Sequence, residues 1–456
     1  MNIRVPIAIL ACRAVRILAR ILRKGGTAKP GEIALKICPD LLSTLSRGVE
    51  TVVITGTNGK TTTARMVEQA FADAGLNYIA NRSGANLISG ITTEFAMKSS
   101  LFGRCRCSHA VIECDEAACR RTLAHLKPRA VLVTNLFRDQ LDRFGDVSVT
   151  LENIRAGLET VPGATVCINA DCPLCSSLSS LPNEVIYYGL ESGAVKISST
   201  DGGDVKRCPK CGGELEYSYR SFGHLGGWRC AECGVERAMP HVAVSEILSL
   251  SAAGSRVKMR HEGVESEVSI NLPALYNIYN AVGATAALLA MGMDSGRAYA
   301  ALESFSCGFG RMETLSIGEK GARMMLVKNP TGCQQVLDFL STVEEGFELV
   351  ICLNDRAGDG TDISWIWETG FEKLADLGEK LCCVRVGGIR WADMALRLKY
   401  AGIEESKIKS CPDYTLLTAE MAKAENPIYI IPTYSAMLEL RSHIVRLTGG
   451  SEFWEG

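Results

Sequence analysis

Nine residues carry the strongest chemical signal in this 456-residue chain: Thr55-Gly56-Thr57-Asn58-Gly59-Lys60-Thr61-Thr62-Thr63. Gly56 and Gly59 let backbone N–H groups turn inward and close on phosphate oxygens. A helix beginning at the end of the loop adds its partial positive charge. Lys60 is a point charge for terminal phosphates, and the Thr61 hydroxyl is placed to ligate Mg2+. Thr57, Asn58, Gly59, Lys60, Thr61 and Thr62 are therefore expected around the phosphates of ATP. The loop is shorter than the common P-loop pattern, which has a glycine where Ile54 stands. The competing reading is a glycine turn with an incidental lysine.

Five other groups could do chemistry. Glu113-Cys114-Asp115-Glu116 follows an apolar run, and carboxylates at a strand end beside a phosphate loop are well placed for Mg2+. Cys208-Pro-Lys-Cys211 and Cys230-Ala-Glu-Cys233 are two C-x2-C pairs with 18 residues between them, each followed by glycine. Four thiolates at that spacing predict a closed tetrahedral zinc site with a structural role. Asn277 and Asn280 share a helix face and could bond an adenine, or simply cap the helix. Arg311, after Gly308-Phe309-Gly310, would be a second cation for triphosphate. Asp355, Asp359 and Asp362 lie just past a buried strand and before Trp365 and Trp367. They predict either a catalytic or partner-facing loop, or an acidic loop docked by its aromatic anchors.

These residues need a frame to hold them. Thr51-Val52-Val53-Ile54 reads as a strand and Ala64 to Phe71 as a helix, the context that a phosphate loop requires. Ala110-Val111-Ile112, Ala130-Val131-Leu132-Val133 and Ala164 to Ile168 repeat the strand signal between helical stretches. The fold expected is α/β, a doubly wound and mostly parallel sheet. The polar, glycine-rich sequence around the cysteines suggests a small zinc ribbon inserted at 200–240. Composition shifts near 316–320, and strand signals resume at 325–327, 349–353, 381–386 and 428–431. We therefore expect an ATP-binding domain at 1–315 and a second, Rossmann-like α/β domain at 316–456.

Composition narrows the function. Net charge is −2, so nothing global points to nucleic acid. No apolar run is long enough to span a bilayer. Nineteen cysteines spread through a long α/β sequence suit a reduced cytosolic protein with one metal site. The first 24 residues are basic and apolar. They predict an amphipathic helix, either packed on the domain or resting on an anionic membrane surface.

Taken together, the chain resembles the Mur ligase superfamily. The marks are Gly56-Thr57-Asn58-Gly59-Lys60-Thr61, Glu113, Asn169-Ala170-Asp171 before Pro173, Asn277 with Asn280, and Gly310-Arg311-Met312-Glu313. Within the superfamily it is similar to the MurT family, the synthetase subunits of lipid II isoglutaminyl synthase. That narrower likeness rests on the four cysteines, Asn135 to Asp142, Lys328-Asn329-Pro330-Thr331-Gly332, Asp359-Gly360-Thr361-Asp362, Ser364-Trp365-Ile366-Trp367 and Pro432 to Leu438. The resemblance implies ATP-dependent amidation of the D-glutamate α-carboxyl in the lipid II stem peptide, with ammonia from a GatD-type glutaminase partner. It also implies that Asp355, Asp359 or Asp362 completes the partner's Cys-His pair. A lipid-linked substrate implies a cytoplasmic enzyme working at the inner membrane face.

Some positions depart from the superfamily pattern. Gln140 stands where many members carry a metal-binding His, and no carbamylated lysine can be placed. Lys328 replaces a His before Asn329-Pro330, which suits a changed acceptor. Ala274 stands where glycine is expected, and the change is read as harmless. Two alternatives compete: a stand-alone ligase joining an amino acid to a muramyl peptide or folate, and a non-enzymatic zinc-ribbon binding protein.

Overall fold

The structure, a computed structural model, describes residues 3–21, 28–81, 85–138, 147–195, 205–251, 253–305, 311–317 and 321–448. Gln140, Arg82 to Gly84, Gly308 to Gly310 and the side chain of Arg311 lie outside the described residues.

Two sheets organise the chain. The first contains β1 (Glu50–Thr55), β2 (Tyr78–Ala80), β3 (His109–Glu113), β4 (Ala130–Val133), β5 (Thr165–Asn169) and β6 (Val185–Leu190). A hairpin of β7 (Leu215–Phe222) and β8 (Leu225–Cys230) stands apart as its own two-stranded sheet. The chain then returns as β9 (Val242–Leu250), β10 (Ser255–His261) and β11 (Val264–Ile270). The resulting order is β11-β10-β9-β6-β5-β4-β1-β3-β2, parallel from β2 to β9 and antiparallel at β9-β10-β11. Continuous apolar runs explain the parallel part. All of β4, and β1 beyond Glu50, are buried, as strands covered on both faces must be. In β10 buried and more exposed positions alternate, as in a sheet wet on one side.

The second sheet holds β12 (Arg311–Leu315), β13 (Ala322–Met325), β14 (Phe347–Cys352), β15 (Leu381–Gly387), β16 (Ile408–Ser410) and β17 (Ile428–Pro432). Its order is β12-β13-β17-β14-β15-β16, and only β12 runs antiparallel. The crossing between sheets thus falls between Ser304 and Arg311, ahead of the expected boundary at 316. Residues 311–315 are an edge strand of the second sheet, so Arg311 begins a strand and does not sit within a loop. No described helix is long and apolar enough to cross a membrane.

Candidate functional site

The phosphate-loop residues gather where β1 meets the helix Lys60–Asp73. Gly56 (φ +117°) and Gly59 (φ +87°) adopt backbone that side chains rarely tolerate. A Cβ on Gly56 would lie 2.3 Å from Thr134 Oγ1, and one on Gly59 would lie 2.1 Å from Asn280 Oδ1. Both glycines are therefore required by conformation and by space. The loop is pinned to the neighbouring strand end. Thr57 N donates to Asn135 O at 2.8 Å, and Asn58 N to Asn135 Oδ1 at 3.0 Å. Asn135 Nδ2 returns a bond to Asn58 O at 3.1 Å.

Parallel pairing of β1 with β3 sets Ile54 opposite Glu113, which brings the acidic strand end to the loop. Thr61 Oγ1 donates to Glu113 Oε2 at 2.8 Å. A hydroxyl and a carboxylate at this separation are hard oxygen donors suited to Mg2+. Asn81 fixes the Glu113 backbone by accepting from its N–H at 2.8 Å and donating to its carbonyl at 2.7 Å. Lys60 is buried, and its Nζ donates to Gly56 O at 2.6 Å and to Glu116 Oε1 at 2.8 Å. Burial alone would lower its pKa. Glu116 and Glu113 outweigh that and hold it up at about 12, so the ammonium is charged throughout the physiological range. Glu116 is visible in the sequence only as part of an acidic run; its pairing with Lys60 is a structural finding.

The helix Leu275–Ala290 packs against the loop helix and carries both candidate asparagines. Asn280 Nδ2 donates to Asn277 Oδ1 at 3.1 Å, and Asn277 Nδ2 donates to Pro273 O at 2.7 Å. Both line a cleft with Gly59, Phe222, Met312 and Gln335, between the two sheets. Asn329 closes the cleft from the second sheet's side. Its Nδ2 donates to Asn58 Oδ1 at 3.1 Å while its Oδ1 caps the helix Pro330–Ser341. Sequence reasoning does not foresee that bridge; only the Lys328-Asn329-Pro330 pattern marks the spot. Ala274, just before the helix, has φ +74° and ψ 146°, a region that is essentially glycine's own. The loss of glycine there is strained, not harmless.

Asp171 lies behind Tyr279 of the cleft wall and is fully buried. Burial raises its pKa, opposed by Arg237 Nε at 2.6 Å and by the Tyr279 hydroxyl at 2.5 Å. Ser221 bonds the same Tyr279 hydroxyl at 2.7 Å, and Trp228 Nε1 donates to Ala170 O at 3.0 Å. These contacts bolt the β7–β8 hairpin to the main sheet, so that Phe222 at its end reaches the cleft.

At the other end of that hairpin sit Cys208, Cys211, Cys230 and Cys233, their Sγ atoms all within 4.8 Å of one another. Gly212 (φ +80°) and Gly234 (φ +70°) make the two tight turns. Backbone N–H groups of Lys210, Gly213 and Cys233 lie 3.4–3.5 Å from the sulfurs of Cys208, Cys211 and Cys230. Donors aimed at sulfur suit thiolates, and the donor set fits zinc.

The three aspartates of the second lobe separate by environment. Asp359 is buried and accepts from Ser435 N at 2.6 Å, from the Ser435 hydroxyl and from Arg356 N at 3.2 Å. Asp362 is exposed and caps a turn through Ser364 N at 2.8 Å. Asp355 is part-exposed, with one oxygen held by Arg390 Nη1 at 2.9 Å. In the same lobe Ile389, Leu396, Trp367 and Tyr400 are all about half exposed or more, and Trp367 packs edge-on to Tyr400. Arg138 reaches Glu368 at 3.6 Å, tying this loop to the first lobe.

Comparison with known proteins gives the family and the fold. Residues 54–224 match the Mur ligase middle domain family, and residues 326–437 match the MurT ligase C-terminal family. The chain is 35% identical to the lipid II isoglutaminyl synthase (glutamine-hydrolyzing) subunit MurT of Streptococcus pneumoniae R6, over 97% of each chain. It is 32% identical to the protein of the same name from Staphylococcus aureus COL, over 98% of this chain and 99% of the relative. Among solved structures, MurF from Acinetobacter baumannii aligns with a TM-score of 0.67 at 15% identity, over 92% of this chain and 80% of its own. A pseudomurein peptide ligase type C from Methanothermus fervidus gives 0.66 at 20% identity, over 88% and 79%. At those identities the structural likeness establishes the Mur ligase-type α/β fold.

Proposed function

Because the chain belongs to the MurT family of Mur ligase-type ligases, we propose that it amidates the α-carboxyl of D-glutamate in lipid II, using ATP and ammonia from a GatD-type glutaminase. The observation that carries this reading is the pairing of an intact phosphate loop with the Thr61 hydroxyl and Glu113 carboxylate, in a chain that matches MurT subunits over 97–98% of its length. The loop N–H groups, Lys60 and Arg311 would hold the triphosphate, with Asn277 and Asn280 facing the cleft for the base. Thr61 and Glu113 would hold Mg2+, which when bound neutralises charge on the terminal phosphates.

The chemistry asks for positioning and charge neutralisation more than for a nucleophilic side chain. The substrate carboxylate attacks the γ-phosphorus in line, forming a C–O–P link as the bond to ADP breaks. Ammonia then adds to the acyl carbon, phosphate leaves, and one proton is released. Lys60 enters the reaction as an ammonium, stabilised by the carboxylates of Glu116 and Glu113. The four cysteines would hold a structural zinc ion, anchoring the hairpin that brings Phe222 to the cleft.

For the partner's Cys-His pair, Asp359 is already committed to Ser435 and Arg356. Asp355 fits best: it is part-exposed, Arg390 orients one of its oxygens, and half-exposed Ile389, next to Arg390, offers an apolar contact for the partner. Domains of 1–315 and 316–456 with a ribbon at 200–240, adjusted for the edge strand at 311–315, remain our working division. The protein would work in the cytoplasm at the inner membrane face. The test is amidation of lipid II by the purified chain, read by mass spectrometry. Ammonium should suffice alone, and glutamine only with the partner. Transfer of an amino acid in place of ammonia would overturn amidation.

A further inference from the structure

The helix Arg4–Ile21 has two apolar faces, and the fold covers one of them. Val5, Ala8, Ile9 and Cys12 are buried, on the side that meets the helices Lys29–Ile37 and Ile88–Lys98. Ile3, Ile7, Leu10, Ile17 and Ile21 recur at helical spacing on the opposite side and are 50–74% exposed. A loop near the start of the helix also exposes Leu101 and Phe102, the latter 70% exposed. The loop is seated beside the helix, for a Cβ on Gly103 would lie 3.0 Å from Val5 Cγ1.

The same stretch of sequence is basic. From Arg4 to Lys29 the sequence has seven basic residues and no acidic one, in a chain whose net charge is −2. Arg13 and Arg16 are anchored to the domain, Arg13 on the carbonyls of Ala96 and Ser99 and Arg16 on Glu94. Exposed Lys98, Arg104 and Arg106 extend the basic rim around Phe102. A second copy of this chain would set the same cations against each other across a two-fold axis. An anionic lipid surface is complementary to both the apolar stripe and its basic rim.

We propose that this face lies on an anionic bilayer, with the stripe at the acyl boundary and Lys98, Arg104 and Arg106 among lipid phosphates. The helix is about 27 Å long at 1.5 Å per residue, and it would lie along the surface without crossing it. The inference deepens, and rests on, the reading of a lipid-linked substrate. The helix Lys29–Ile37, packed directly on the membrane-facing helix, forms one wall of a groove of about 510 Å³. The opposite wall includes Ala117, Ala118 and Arg121, immediately after Glu116. A headgroup held at the bilayer would reach the acidic end of β3 along this groove.

The test is co-sedimentation of the full chain with vesicles of phosphatidylcholine, with and without phosphatidylglycerol, containing neither lipid II nor ATP. Binding should require phosphatidylglycerol and fall with added salt. The double variant Leu10→Glu/Ile17→Glu should lose about tenfold or more of the partitioning, at an unchanged melting temperature. Arg104→Glu/Arg106→Glu should weaken binding in the same direction. Failure of the wild-type chain to bind, or full binding by Leu10→Glu/Ile17→Glu, would overturn the proposal. So would a wild-type dimer that this variant renders monomeric while vesicles bind neither form. Since the vesicles hold no substrate, failure of the amidation reading would leave this result standing, and the converse.

Discussion

Replacing Gly59 by alanine should do more harm than glycine's backbone freedom alone explains, and removing one neighbouring side chain should undo most of the excess. At φ +87° an L-residue costs about 1–2 kcal/mol, partly offset by about 0.4–1 kcal/mol from a stiffer unfolded chain. Steric contact costs more. The new Cβ would sit 2.1 Å from Asn280 Oδ1 and 3.1 Å from its Cγ, so the amide must move by more than an ångström. Moving it breaks the 3.1 Å bond to Asn277, worth about 1 kcal/mol, and overpacks the cleft wall by about 1–3 kcal/mol. Gly59→Ala alone should therefore cost about 3–5 kcal/mol. Asn280→Ala alone should cost about 1–2 kcal/mol. In the double variant the overlap is gone, leaving about 2–3 kcal/mol, well below the sum of the singles. The assay is scanning calorimetry without nucleotide, where a coupling of this size amounts to several degrees in melting temperature. Additive melting temperatures would refute the packing of Asn280 on the loop. Gly56→Ala provides the contrast. Its Cβ would also lie 2.8 Å from the Asn135 carbonyl, a backbone atom, so Thr134→Ala should rescue little.

Ala274→Gly should raise the melting temperature: relief at φ +74° is worth about 1–3 kcal/mol against about 0.5–1 kcal/mol of glycine entropy. Glu116→Gln should cost about 3 kcal/mol by stranding the buried Lys60 charge. Lys60's folded pKa is raised, so its contribution is complete below about 10.5 and fades only as pH climbs through about 12. The difference between Glu116→Gln and wild type should then be flat from about pH 6 to 9, as thermal melts across that range would report. Metal analysis should find one zinc per chain. Cys208→Ser/Cys230→Ser should abolish it and weaken nucleotide binding through the hairpin that carries Phe222 to the cleft, measured by calorimetric titration.

What the sequence makes legible is local. A glycine loop between an apolar run and a helix, a carboxylate after a strand, and paired C-x2-C turns each lie within a few residues, so spacing alone predicts their geometry. The structure agrees on the buried strands around 52–54, 110–112 and 130–133, because parallel strands covered on both faces read as unbroken apolar runs. What escapes is set by distant packing. The Lys60–Glu116 pair joins residues 56 positions apart, and the Asn58–Asn329 bridge joins residues 271 apart. Neither has a local signature. The antiparallel extension β9-β10-β11 also escapes, since its half-exposed alternation is weaker than a solid apolar run. The strain at Ala274 is hidden because a backbone dihedral is invisible in a residue name. Arg311 reads as a loop residue because flanking glycines suggest one, although it opens the edge strand β12.

The most direct measurement follows one oxygen atom. Lipid II carrying 18O in the D-glutamate α-carboxyl would be incubated with the chain, ATP, Mg2+ and ammonium, and the released phosphate analysed by mass spectrometry. Attack of the carboxylate on the γ-phosphate must deliver one labelled oxygen to phosphate for each amide formed. Unlabelled phosphate alongside amide product would contradict carboxyl activation by phosphoryl transfer at the Lys60–Thr61–Glu113 site.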